Sequence, residues 1–217
     1  TAVPTATPTP LPACLPQSVS FGETAAELEP TDCQRPFLGE NRFTDEYLIT
    51  GTVGDAIEVD VIATGTPNAF DPIITIEAAG GSFLDAGGVP PMEFVVSSSQ
   101  PYRVVVSSSV SGPTDIGPYR LVLSSRSCPA PIALNPTGTL VEEFDASDCP
   151  HPASPAIRDP SNRARTYTFT VPAPLTNVEV TMRQLSLETS VDPVFSIIGP
   201  EGYRMVGTDE VDDAAPD

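Results

Sequence analysis

Of the 217 residues, 40% are hydrophobic, enough to fill two modest cores, and no apolar run approaches the roughly 18 residues of a membrane-spanning helix, so the composition fits neither a disordered nor a membrane-spanning class. A formal charge of −19 with ten basic residues, all arginine, excludes a nucleic-acid backbone and an anionic membrane surface as partners, because both need clustered cations. The missing lysines also remove Lys–Asn isopeptide links, Schiff-base chemistry and a phosphate-binding P-loop, while 26 prolines and 15 glycines predict strands and turns.

The chain begins at Thr1 rather than Met, which suggests a processed product. In residues 1–12 prolines at positions 4, 8, 10 and 12 alternate with Thr and Ala, the pattern of a polyproline-II spacer that cannot supply a ladder of backbone donors. Its threonines are candidate O-glycosylation sites, whereas the sequon at Asn135-Pro136-Thr137 is blocked by its proline. Residues 13–127 follow as a first module of short alternating runs. Ile57, Val59 and Val61 share one face of their run. Tyr102 and Val104, and likewise Tyr119 and Leu121, oppose Arg103 and Arg120, so the arginines are expected to point outward. Turns are expected at Ala79-Gly80-Gly81 and Gly112-Pro113. Residues 128–217 make a second module, with strands expected at 138–144, 165–171, 177–182 and 194–198 and a further one starting at Tyr203 and Met205. Tyr167, Phe169, Val171, Val178, Val180, Met182 and Phe195 are its expected core. No stretch keeps a 3.6-residue period over three turns, so almost no helix is expected.

The two modules are one pattern written nearly twice. Cys14 and Cys33 stand 19 residues apart, Cys128 and Cys149 stand 21 apart; Tyr47 precedes Asp71-Pro72 by 24 residues, and Tyr167 precedes Asp192-Pro193 by 25. Several elements in one order indicate a tandem duplication. By that alignment the second copy stops before the counterpart of Ser97–Ser127. It is therefore expected to need completion, by further polypeptide, by a strand lent from a neighbouring subunit, or as a shortened sandwich closed by itself. Cysteines in matched positions read as Cys14–Cys33 and Cys128–Cys149 disulfides, hence an oxidising compartment, outside the cell or on its surface. Metal binding and free thiols are the competing readings; the first usually wants close Cys-x-x-Cys pairs and the second would not duplicate in register.

The order of a Tyr47–Thr50 strand, Phe70-Asp71-Pro72 and a closing Gly117–Leu123 strand, with Tyr167–Thr170, Val191-Asp192-Pro193 and Gly199–Gly202 in the second copy, resembles the bacterial pre-peptidase C-terminal domain. That resemblance implies a jelly-roll-like β-sandwich, appended to secreted peptidases or arrayed on large surface proteins. The paired cysteines depart from the family's usual pattern, and the residues ahead of the modules in this sequence, 1–12, are too few for a peptidase domain.

Candidate chemistry is sparse. His151, the one histidine, lies between two prolines beside Cys149 and reads as a loop residue without the nucleophile and acid that a general base needs. Asp71 and Asp192 read as turn caps accepting backbone N–H bonds, with Ca²⁺ ligation as the other reading. Asp192, Asp209, Asp212 and Asp213 could hold Ca²⁺ in the second module, but they lack the Asp-x-Asp-x-Asp-Gly spacing of a loop cage, and a solvated loop is the simpler account. Ser97–Ser99 and Ser107–Ser109 are expected to end neighbouring strands; with no Trp and 6% aromatic residues a sugar-stacking platform is not supported. The expectation is an all-β, non-enzymatic protein without a cofactor: two tandem antiparallel β-sandwiches, the second incomplete, that self-assemble with identical subunits into an extracellular or cell-surface filament or array. The alternative is a non-catalytic accessory region of a larger secreted hydrolase.

Overall fold

Runs that alternate apolar and polar side chains become strands in the computed structural model, which describes residues 12–37, 40–65, 70–78, 83–109, 115–135, 140–141, 147–150, 163–170, 195–198 and 204–208. In chain order the strands are β1 (Gln17–Ser18), β2 (Gly22–Glu27), β3 (Cys33–Phe37), β4 (Glu40–Ile49), β5 (Asp55–Ala63), β6 (Pro72–Glu77), β7 (Phe83–Gly88), β8 (Met92–Val95), β9 (Tyr102–Ser108), β10 (Pro118–Ser127), β11 (Ile132–Ala133), β12 (Cys149–Pro150), β13 (Arg163–Ala164), β14 (Tyr167–Thr168), β15 (Phe195–Ile198) and β16 (Arg204–Thr208). The protein is all-β, with no helix among the described residues. No helix there is long and apolar enough to cross a membrane. The chain forms two compact units, Thr1–Thr168 and Phe169–Asp217.

In the first unit a six-stranded sheet ordered β1-β4-β9-β6-β7, with β3 also paired to β4, faces a four-stranded sheet ordered β2-β10-β5-β8. Tyr47, Ile49, Ile74, Ile76, Tyr102, Val104 and Val106 project from the first sheet onto Ile57, Val59, Val61, Phe94, Tyr119, Leu121 and Leu123 of the second. Full burial of each such side chain favours folding by roughly 1.5–3 kcal/mol, which fixes the register, since a one-residue slip would turn the whole set to water. Arg103 and Arg120 lie on the opposite faces from Val104 and Leu121, as the alternation requires. Gly54, at φ +94°, closes the turn from β4 to β5, where Asp55 N–H donates to the Thr52 carbonyl at 3.0 Å.

Three details depart from the sequence expectation. Two contacts are parallel, not antiparallel: Gln17 and Ser18 opposite Tyr47 and Leu48, and Ile132 and Ala133 opposite Tyr167 and Thr168. For the first, the Cys14–Cys33 disulfide supplies the reason. It sets Cys14 beside Cys33, opposite Thr44, so the chain leaving Cys14 runs along β4 past the point where antiparallel β3 begins. Second, Ser107 and Ser108 lie within β9 and are buried, and Ser97–Ser99 form a loop; β8 and β9 belong to opposite sheets and so are not neighbours. Third, Leu140 and Val141, the described residues of the expected 138–144 strand, are exposed and unpaired in any strand, and among the described residues 165–170 only Tyr167 and Thr168 pair as a strand. Tyr167 and Phe169 are half-buried. The turns at 79–81 and 112–113, the strand at 177–182 and residues Val171, Val178, Val180 and Met182 lie outside the described residues.

Both disulfides are closed, Cys14–Cys33 and Cys128–Cys149. The pairing around them repeats. Cys33 faces Thr44 three residues before Tyr47, and Cys149 faces Ala164 three residues before Tyr167. Val19 N–H donates to the Leu48 carbonyl at 3.1 Å, and Leu134 N–H to the Thr168 carbonyl at 2.7 Å. In the second unit β15 and β16 pair antiparallel, Ile197 opposite Val206, where the sequence places a strand, a turn and a returning strand. Cys14→Ser with Cys33→Ser is expected to lower the stability of the first sandwich by about 3 kcal/mol in the chain-entropy model, given the 19-residue loop. A urea midpoint unmoved by the double substitution would show that β1 and β3 hold their places on β4 without the staple.

Candidate functional site

Among the described residues the most developed polar site is an arginine clasp at the β8–β10 side of the four-stranded sheet. On β5 and β8 two carboxylates stand directly opposite, Glu58 and Glu93, an unfavourable pair unless cations answer it. Arg126, near the end of β10, donates Nε–H to Glu93 Oε1 at 2.8 Å. Its two other guanidinium nitrogens reach the carbonyls of Ser147 at 2.7 Å and Asp148 at 2.9 Å. Arg163 on β13 donates to Glu93 Oε2 at 2.7 Å and to the Asp148 carbonyl at 3.1 Å. Arg165 grips the Asp148 carboxylate with Nε and Nη2, both at 2.8 Å, and that aspartate is 0% exposed. A planar fork makes such two-point bonds and an ammonium group does not, which suits a chain whose basic residues are all arginine. The clasp ties the loop before Cys149 and strand β13 to the end of β10. That loop and β13 belong to what the sequence reads as the second module.

A second network lies on the outer face of the six-stranded sheet. Glu46 and Glu77, both 5% exposed, are bridged by Arg35 at 2.5 and 2.6 Å and by Arg103 at 3.6 and 3.4 Å. Beside it Arg42 stacks its guanidinium 4.6 Å over the Phe37 ring and donates to the Ser108 carbonyl at 2.7 Å. Thr44, Thr75, Val105 and Ser107 are buried between these groups, so the sheet is covered on both faces.

Between the sheets runs a hydroxyl chain. Tyr47 Oη meets Tyr119 Oη at 2.6 Å, and Tyr119 donates to Asp45 Oδ2 at 2.6 Å. Burial pushes the Asp45 carboxyl up to about 6, opposed by the Tyr119 bond and reinforced by the charges of Asp32 and Glu29. Burial also pushes Asp32 upward, against the Glu29 N–H bond it accepts at 2.6 Å.

The sequence candidates fare differently. The four cysteines come together in pairs, and since the sulfurs of Cys14 and Cys33 are bonded to each other, their approach to Glu46 offers no thiolate to a metal. Among the described residues Asp71 meets the side chains of Ser109 and Asp115. Its carboxylate takes the Ser109 hydroxyl at 2.7 Å, while its own N–H donates to Asp115 at 3.1 Å. His151, Asp192, Asp209, Asp212 and Asp213 lie outside the described residues. The clasp was missed in the sequence, although one signal marked it: Thr31-Asp32-Cys33 recurs as Ser147-Asp148-Cys149.

No protein-family model and no curated protein matches the chain. Among solved structures it is similar to PliG of Aeromonas hydrophila, a periplasmic lysozyme inhibitor of g-type lysozyme, at 13% identity and a TM-score of 0.35, over 51% of this chain and 95% of that one. PliG of Salmonella Typhimurium, also a periplasmic lysozyme inhibitor of g-type lysozyme, is similar at 10% identity and a TM-score of 0.32, over 50% and 96%.

Proposed function

We propose that this chain is a non-catalytic structural protein of an oxidising compartment, built from consecutive copies of one disulfide-stapled β-sandwich, and that it serves as a subunit of a cell-surface filament or array. The clasp carries the reading. Arg126, Arg163 and Glu93 tie the last strand of the first sandwich to the loop and strand that open the next copy, which is what a load-bearing string of modules needs at its joint. The disulfides favour a location outside the cytoplasm. The described charged clusters are engaged in holding strands together, a use that suits a scaffold. Membership of the pre-peptidase C-terminal domain family belongs to the same proposal and rests on the motifs around Tyr47, Asp71 and Tyr119 and their counterparts in the second copy. The second reading, an accessory region of a secreted hydrolase, draws on that resemblance.

Immuno-electron microscopy of the producing cells, with antibodies to residues 13–127, separates the two. Regular labelling along surface filaments or a lattice is expected. Label confined to diffuse secreted material that co-purifies with a hydrolase would overturn the assembly reading in favour of the second.

A further inference from the structure

The matched registers put Asp32 of the first copy where Asp148 stands in the second, each preceding the cysteine opposite β4 or β13. They put Asp45 where Arg165 stands, each two residues before the tyrosine that faces the parallel strand. In the second copy that position closes a carboxylate–guanidinium fork at 2.8 Å. In the first copy it sets a carboxylate near a carboxylate, with Glu29 alongside in the β2–β3 loop. The charge that balances Asp148 has become a like charge.

We propose that the Glu29–Asp32–Asp45 notch is a proton-binding site, in which a proton on Asp45 does for the first sandwich what the Arg165 guanidinium does for the second, so that the sandwich tightens on acidification. Among the described residues the groups facing Asp45 are few. Tyr119 from β10 donates to it at 2.6 Å, Tyr47 on its own strand backs Tyr119, and Asp32 and Glu29 repel it from the loop. Val106, its partner across β9, does not titrate. Both tyrosines stay protonated at any physiological pH, Tyr47 pushed up to about 12 and Tyr119 pushed higher still, each chiefly by burial. A protonated Asp45 keeps one oxygen for the Tyr119 hydroxyl and gains a donor to offer the carboxylates beside it.

The sign follows from a folded value near 6 against an ordinary one near 4. The stabilisation is complete below about pH 4 and disappears as pH rises through about 6. Because the carboxyl is only half-buried, the folding constant is expected to fall on the order of tenfold across this window, less than the full shift implies.

Carbon-13 NMR of the Asp45 carboxyl in the full chain tests this directly. A midpoint near 6 is expected; a midpoint at or below the ordinary carboxylate value, about 4, would overturn the proposal. Urea titrations between pH 4.5 and 7.5 supply the second arm. Asp45→Asn should flatten the decline by roughly tenfold in the folding constant, and an unchanged slope would overturn the idea. Asp45→Arg, which restores the second copy's pair with Asp32, should raise stability at pH 7.5; if that variant does not fold, the NMR midpoint and Asp45→Asn still decide. The inference rests on the matched strand registers, the Tyr119–Asp45 bond and the burial of Asp45, so it fails or stands separately from the assembly reading.

Discussion

Replacing Arg165 with alanine should destabilise the segment that carries the second disulfide by about 3–5 kcal/mol, the largest single effect expected outside the first core. The reason is asymmetric. Asp148 is 0% exposed, so losing Arg165 removes a two-point, charge-assisted fork from a buried carboxylate. Arg165→Lys should recover only part of the loss, because an ammonium group cannot bond both carboxylate oxygens in one plane. Limited proteolysis reads the effect: cleavage between Cys128 and Thr168 should rise at least tenfold in the alanine variant while residues 17–127 remain resistant. Equal resistance in both proteins would mean that the fork adds nothing to the joint.

Tyr102→Ala is the second large effect, about 3–5 kcal/mol in the first sandwich. The side chain is 0% exposed and its ring meets Phe94 of the opposite sheet at 4.9 Å between centroids. Its hydroxyl also accepts the backbone N–H groups of Ser97 at 2.8 Å and Ser98 at 3.1 Å, which pins the loop from β8 to β9 as the chain crosses between sheets. Tyr102→Phe keeps the ring and orphans those donors, so it should cost about 1–3 kcal/mol. Urea unfolding followed by circular dichroism orders the three proteins. If Tyr102→Phe proved as damaging as Tyr102→Ala, the hydroxyl rather than the ring would hold the sheets together.

Alternation made one face of the strands legible, because a half-buried strand writes its burial into every second residue. Ile57, Val59 and Val61, and Tyr119 with Leu121, lie where the period-2 pattern puts them. The other face of the six-stranded sheet was not legible. Thr44, Glu46, Thr75 and Glu77 alternate with core-facing residues and are nonetheless buried, the two glutamates under Arg35 and Arg103, which are distant in sequence. Period-2 reasoning carries no information about ion pairs formed across strands that meet only in three dimensions. The cysteine pairs were readable because the pattern is repeated in register, and the same repetition held the unread signal of Asp32 with Asp45 against Asp148 with Arg165. The parallel contacts of β1 and β11 had no signature, since each spans two residues.

Hydrogen exchange measured by mass spectrometry, peptide by peptide, tests the claim that the second copy opens with the fold of the first and is fixed to it. The account predicts slow exchange at Leu134 as at Val19, since each amide donates to the carbonyl one residue past its tyrosine, Thr168 and Leu48. Peptides covering 147–150 and 163–168 should lose protection together when Arg126→Ala and Arg163→Ala are combined, because both side chains hold the Asp148 carbonyl. Protection confined to residues 17–127, with 128–168 exchanging at the rate of an unfolded chain, would contradict it.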